Sequence, residues 1–235
     1  DQSKAEKYEG LVSFLTPICK AYCSDYGFRM TELAIQVLGG YGYCSEYPVE
    51  QYLRDCKVAS IYEGTNGIQA LDLLGRKIGG KGGMLFMGFV LRLNQFIDKH
   101  RKHELLAPQV KVLEEAKNTL AETVMALGSR TRKGDILYSI QHATPLLDMF
   151  GEVILAQILI EQAAIAYPKL AALNQEAGAA DEASRRALQE SNEEAKFYAG
   201  KLHNAAFFCS QVLPHVKARA VAMSSGDRSV LDVVL

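Results

Sequence analysis

The residues best placed for chemistry lie in one short stretch, Ser60-Ile61-Tyr62-Glu63-Gly64-Thr65. A carboxylate followed by glycine is a candidate proton acceptor, because a residue without Cβ lets a reactant approach the backbone closely. Local sequence alone offers a simpler account: an acid just before a helix start is favoured by the helix dipole and needs no reaction. Other groups are weaker. Gly39, Gly40 and Gly42 read as a helix stop and turn; Ser45 breaks the dinucleotide fingerprint and a helix precedes them, so no Rossmann fold is inferred. His100 and His103 share a helix face near Glu104, but Lys99, Arg101 and Lys102 surround them, which favours a solvated cationic helix end over a metal site. Five cysteines (Cys19, Cys23, Cys44, Cys56 and Cys209) include no C-x-x-C pair, so reduced thiols and no metal are expected.

The elements that must hold these groups are helices. From Glu9 to Leu38 the apolar residues Leu11, Phe14, Leu15, Ile18, Tyr22, Met30, Leu33, Ala34 and Val37 recur at threes and fours, predicting a helix buried along one face with an irregular patch near Gly27. A second helix is expected from near Pro48 to about Lys57, with Arg54 and Asp55 as a structural ion pair or capping pair. Thr65 is a credible N-cap for a third, bearing Ile68, Leu71, Leu74 and Ile78 on one side. Gly79-Gly80-Lys81-Gly82-Gly83 reads as a hinge, giving a first helical domain over 1–78 and a second over 84–235. Helical patterns follow at 84–102, 109–128, 142–173 and 181–222, and period-two alternation is scarce. An all-α fold ending in a helical bundle is therefore expected. Its broad apolar faces, such as Leu146, Leu147, Phe150, Ile154, Ile158 and Ile165, call for burial within the chain, and Phe207-Phe208 with Tyr198 and Leu202 suit a packed helix interface.

A net charge of -1 gives no electrostatic case for nucleic acid or a membrane surface. No uninterrupted apolar run reaches the roughly 18 residues of a membrane span, and Asp1-Gln2-Ser3-Lys4 is no signal peptide. A cytoplasmic location follows as an expectation. With no initiator Met and a helical pattern starting at once, the chain reads as a piece of a longer protein.

Four pieces stand in register: Gln36-Val37-Leu38-Gly39-Gly40-Tyr41-Gly42-Tyr43, then Glu46-Tyr47-Pro48-Val49-Glu50, then Arg54-Asp55-Cys56-Lys57, then Ile61-Tyr62-Glu63-Gly64-Thr65-Asn66-Gly67-Ile68-Gln69. Over about residues 5–78 their order and spacing resemble the C-terminal half of the acyl-CoA dehydrogenases, and four matches in register argue against coincidence. The long segment that follows resembles the added helical domain of the larger members, some of which act on unusual acyl-CoAs such as methylthio-substituted ones. The resemblance implies FAD-dependent α,β-dehydrogenation of an acyl-CoA thioester to the 2-enoyl-CoA. Glu63 would take the α-proton while the β-hydrogen leaves as hydride to the flavin. Such a base needs burial to lift its affinity for the proton, and its own backbone N–H, with a flavin hydroxyl, would steady the enolate. Gln36, Gly40 and Thr65 match FAD-contacting positions, the first two toward a cofactor bound to a neighbouring subunit. Tyr62 and Gly64 match the substrate side, although Tyr62 suits a core equally well. Gly67 departs from the family pattern, since many relatives carry Gln there. The implied partners are the acyl-CoA, an electron-transfer flavoprotein and further copies of the chain in a homo-oligomer. Without the upstream helical domain and β-domain the chain is expected to be inactive alone. The rival readings are an acyl-CoA oxidase-like flavoenzyme and a non-catalytic helical assembly or interaction module.

Overall fold

The computed structural model describes residues 2–234; Asp1 and Leu235, the outer ends of the two expected domains, lie outside the described residues. Every regular element among them is helical. In order these are α1 (Gln2–Leu38), α2 (Gly40–Tyr43), α3 (Val49–Val58), α4 (Asn66–Asp72) continued by a π turn (Leu73–Lys77), and a 3-10 turn (Gly80–Gly83). There follow α5 (Met84–His100), α6 (Ala107–Arg132), α7 (Ile136–Ile140), α8 (Ala143–Glu176), α9 (Glu182–Ser191), α10 (Glu193–Phe207) with a second π turn (Phe208–Val212), and α11 (His215–Ser224). The helices divide between two compact units, and the division does not follow chain order. The first holds Asp1–Phe89, Met125–Gly151 and Gly226–Leu235; the second holds Val90–Val124 and Glu152–Ser225. The glycine-rich segment sits inside the first unit, where Lys81, Gly82 and Gly83 take left-handed backbone.

In the first unit α1 runs unbroken through Gly27 and Pro17, so the irregular patch in the pattern does not interrupt the helix. Its apolar stripe is buried only in the N-terminal half. Phe14, Ile18 and Tyr22 are in the core, whereas Met30, Leu33 and Val37 are exposed. The core is built around aromatic rings: Phe14 lies 5.4 Å from Phe89 and 5.7 Å from Phe150, the last edge-on. Tyr22 packs so tightly on the backbone of Gly151 that a Cβ there would lie 2.1 Å from the ring. The chain's last segment is tied to the same unit, with the Gly226 N–H donating to Tyr138 Oη at 3.0 Å and Arg228 paired with Asp135 at 2.8 Å.

Helices α3 and α4 pack on α1. Arg54 pairs with Glu50 one turn earlier, at 3.3 Å, and not with Asp55; residues four apart share a helix face and adjacent residues do not. The buried face of α4 and its π turn is Ala70 and Leu73, while Ile68 and Leu71 are exposed. The buried face is therefore offset by about one residue from the expected face of Ile68 and Leu71, with the small Ala70 buried in place of a larger side chain. At the end of α1, Gly39 has φ 59° and ψ -139°, a conformation open in practice only to glycine. The turn brings α2 back so closely that a Cβ on Gly42 would sit 2.6 Å from the Ile35 carbonyl oxygen. Since the obstruction is backbone, Gly42→Ala is expected to destabilise the first unit by roughly 1–3 kcal/mol, the usual cost of overpacking, seen as a lower urea midpoint at unchanged slope.

The second unit is a bundle whose interior is lined by Leu93, Leu113, Leu120, Val153, Ile160, Ala163 and Val216. The expected single helix over 181–222 is three. Asn192, in extended backbone, ends α9 and caps α10 by accepting from the N–H groups of Glu194 and Ala195, both at 3.0 Å; Pro214 precedes α11. Phe208 is buried but its neighbour Phe207 is exposed, so only one of the pair packs. His100 is buried against Phe96 at 4.6 Å, not solvated as the cationic pattern suggested. Burial holds its pKa below the ordinary imidazole value, with Lys99 and His103 adding to the effect. His103 ends up in a different role: its Nδ1 accepts from the backbone N–H groups of Leu105 and Leu106 just ahead of α6. All five cysteines are unpaired, and burial pushes the Cys209 thiol up to about 12.

Helix α8 corrects two expectations. Ile158 and Ile165 are exposed rather than packed. The helix is also long and apolar enough to cross a membrane by length and composition, with a mean hydropathy of 1.6 over its best window. Glu152, Gln157 and Glu161 interrupt its apolar runs, so no uninterrupted stretch reaches that length. The helix is largely covered by the protein itself, and Glu152, with no exposed surface, sits 2.5 Å from the Arg219 guanidinium.

Candidate functional site

The loop between α3 and α4 is short because both ends are tied. The N–H groups of Ile61 and Tyr62 donate back to the Val58 carbonyl, at 2.9 and 3.2 Å, closing the end of α3. Across the loop, the Asn66 N–H donates to the Ser60 carbonyl at 3.2 Å. Glu63 stands midway between these two points. It takes φ 56°, in the left-handed region that non-glycine residues rarely occupy, and Gly64 follows at φ 80°. The strain is held by neighbours. Gln69 Nε2 reaches back from α4 to the Glu63 carbonyl at 3.1 Å and the Gly64 carbonyl at 3.4 Å. Thr65 Oγ1 accepts from the Ile68 N–H at 3.3 Å, capping α4 as its sequence position predicted.

These ties leave the chemically useful groups of the loop unspent. Among the described residues, no hydrogen bond or ion pair engages the Glu63 carboxylate, and no backbone carbonyl takes the Glu63 N–H. The side chain is exposed, so this chain alone does not provide the burial that a strong carboxylate base requires. Tyr62 is 53% exposed, which removes it from the core and leaves it free to meet a ligand. Gly64 has Gln69 Nε2 only 2.8 Å from where a Cβ would sit; its positive φ, more than this flexible contact, requires glycine. Gly67 is different. A Cβ there would meet only Thr65 Oγ1, at 3.9 Å, so packing does not impose the glycine.

Of the residues singled out from sequence, the loop brings together Tyr62, Glu63, Gly64 and Thr65. Gln36 and Gly40 lie at a separate junction, where α1 ends and α2 begins, and no hydrogen bond joins the two groups among the described residues. Both are exposed, and a Cβ on Gly40 would meet nothing within 4 Å. At one place stand an open side-chain amide and a backbone position without Cβ; at the other, a Thr65 hydroxyl keeps its hydrogen available after accepting from Ile68. That chemistry suits a large polar cofactor carrying phosphates and hydroxyls.

Sequence reasoning assigned no role to Asn66, Ser24 or Lys20. Asn66 Oδ1 accepts from Lys20 Nζ at 2.8 Å, and its Nδ2 donates to the Ala21 carbonyl at 3.3 Å and to Ser24 Oγ at 2.9 Å. The partners lie 42 to 46 positions away along the chain, so only the polar character of Asn66 beside a cap residue could have hinted at an anchor.

Two family models divide the sequence. One described as acyl-CoA dehydrogenase, C-terminal domain, matches residues 3–78, and one described as acetyl-CoA dehydrogenase C-terminal like matches residues 89–233. A butyryl-CoA dehydrogenase of Syntrophomonas wolfei is 31% identical over 99% of this chain and 35% of its own length. The 3-methylmercaptopropionyl-CoA dehydrogenase of Ruegeria pomeroyi is 40% identical over 35% of this chain and 14% of its own length. A crystal structure of Caenorhabditis elegans ACDH-11 in complex with C11-CoA superimposes on 94% of this chain and 34% of its own at a TM-score of 0.64 and 20% identity, a likeness of fold. The chain thus spans about a third of the length of the curated relatives that match it end to end.

Proposed function

Because the chain belongs to the acyl-CoA dehydrogenase family, we propose that it carries the catalytic base of a flavin-dependent enzyme that converts an acyl-CoA thioester to its 2-enoyl-CoA, Glu63 being that base. The observation that carries this reading is the Glu63 loop. A non-glycine residue is held at positive φ by Gln69 from one side and Asn66 from the other, with its carboxylate and N–H left unengaged. Backbone strain that neighbours maintain, at a group spent on no internal contact, is the signature of a residue kept for an external reactant.

The α-proton of a thioester is weakly acidic, so its removal needs a carboxylate on one side and stabilisation of the forming enolate on the other. Glu63 supplies both from one residue: Oε accepts the proton while the N–H faces the carbonyl oxygen, and Gly64 keeps the approach clear of a Cβ. The exposed side chain acquires its dry surroundings when the acyl-CoA covers it, with Tyr62 as one wall. Gln36, Gly40 and Thr65 are the residues that would hold FAD, and the bound cofactor supplies the acceptor for the β-hydrogen. On this reading, the remainder of the protein provides the rest of the cofactor and thioester site, and the chain alone turns over no substrate.

Anaerobic mixing of the intact protein with a panel of saturated acyl-CoA thioesters is the test. Flavin bleaching together with 2-enoyl-CoA as product is expected for at least one chain type. A flavin that no acyl-CoA bleaches would overturn the proposal in favour of an assembly module.

A further inference from the structure

Asn66 has three features that a loop anchor requires. Its backbone N–H closes the loop on Ser60, its side chain fastens the loop to α1, and the side-chain contacts use every hydrogen-bonding group of the amide. The amide orientation is fixed by chemistry: Lys20 has only hydrogens to offer, so the oxygen must face it, leaving both Nδ2 hydrogens for the Ala21 carbonyl and Ser24 Oγ. The Ser24 hydroxyl hydrogen is then directed to the Lys20 carbonyl at 2.7 Å. The network ends in the backbone of α1, a long helix whose N-terminal half is in the core. On the other side of the loop, Gln69 hangs on α4, which itself begins at Asn66.

We infer that Asn66 is the positioning residue for Glu63, working with Lys20 and Ser24 to hold the base at its strained φ over the substrate; the inference rests on the reading of Glu63 as that base. Once the side chain is removed, α4 and Gln69 shift together relative to α1, and Glu63 can relax toward ordinary backbone. A displacement of about 1 Å in a reacting group can cost on the order of 100-fold in rate while binding remoter parts of the ligand unchanged.

The experiment uses the intact flavoenzyme and follows flavin reduction by its best acyl-CoA in single turnover. Asn66→Ala is expected to lower the rate constant at saturating substrate by roughly 10- to 100-fold, with the Kd for a non-oxidisable acyl-CoA analogue essentially unchanged. Lys20→Met, which removes one bond to Oδ1 and no backbone tie, should move the same way by less. The decisive comparison is the double variant. If Asn66 works through Glu63, Asn66→Ala adds nothing to the loss already caused by Glu63→Gln, whereas a merely structural role contributes its full factor again. Additive losses, or a single Asn66→Ala variant that reduces flavin as fast as wild type, would overturn the inference while a slow Glu63→Gln left the base assignment standing. If Glu63→Gln itself reacts at the wild-type rate, the underlying reading fails instead.

Discussion

Glu63→Gln in the intact enzyme should slow flavin reduction by acyl-CoA by about 10³- to 10⁴-fold, the upper range for loss of a general base, while flavin content and acyl-CoA affinity hold. The substitution is chosen for its shape. Glutamine is nearly isosteric, leaves the Glu63 carbonyl to accept from Gln69 and the backbone N–H free, and tolerates φ 56° no worse than glutamate does. What it removes is a lone pair able to keep a proton. A selective collapse of the chemical step therefore identifies the carboxylate itself, distinct from the loop, as the acting group. Retention of the wild-type rate would place the base elsewhere in the protein and reduce the Glu63 loop to a well-capped turn. A loss of thioester binding alongside the rate would instead give Glu63 a part in holding the ground state.

That prediction could be framed from sequence because the relevant signals are local. A glycine pair stops α1, a proline precedes α3, and Thr65 precedes α4; each acts through its own backbone and immediate neighbours, so type and position suffice. The parts that could not be read are those set by residues far apart in the chain. Asn66 looks like any polar residue in a first helical turn until α1 is brought beside it. Likewise the stripe Met30, Leu33 and Val37 has the period of a buried face and is exposed here, since a period states that a face exists but not what covers it. His100 shows the same limit from the other side. Its neighbours in sequence are cationic, but in space it packs on Phe96, and burial lowers its pKa first, with Lys99 and His103 adding to the effect.

The largest stability effect expected is at Arg219, a residue that carries no signal in the sequence. Glu152 lies inside the long apolar helix α8 with no exposed surface, and Arg219 places a cation 2.5 Å from it, 67 positions later. Desolvating Glu152 wholly and Arg219 in large part is costly, so the pair need not stabilise the fold relative to two apolar residues; what Arg219 contributes is charge compensation for the buried carboxylate. Arg219→Leu should therefore cost about 3–5 kcal/mol, read as a fall in the urea midpoint for the second unit. Replacing both, as Glu152→Leu with Arg219→Leu, should recover most of that loss, since a leucine pair of similar bulk needs no charge compensation in a helix bundle. The two outcomes separate the explanations. If the double variant were as unstable as the single one, the Arg219 stem would be the important contact and its loss a matter of packing. Recovery shows instead that the penalty is electrostatic, and that α8 owes its place in the bundle to its apolar residues.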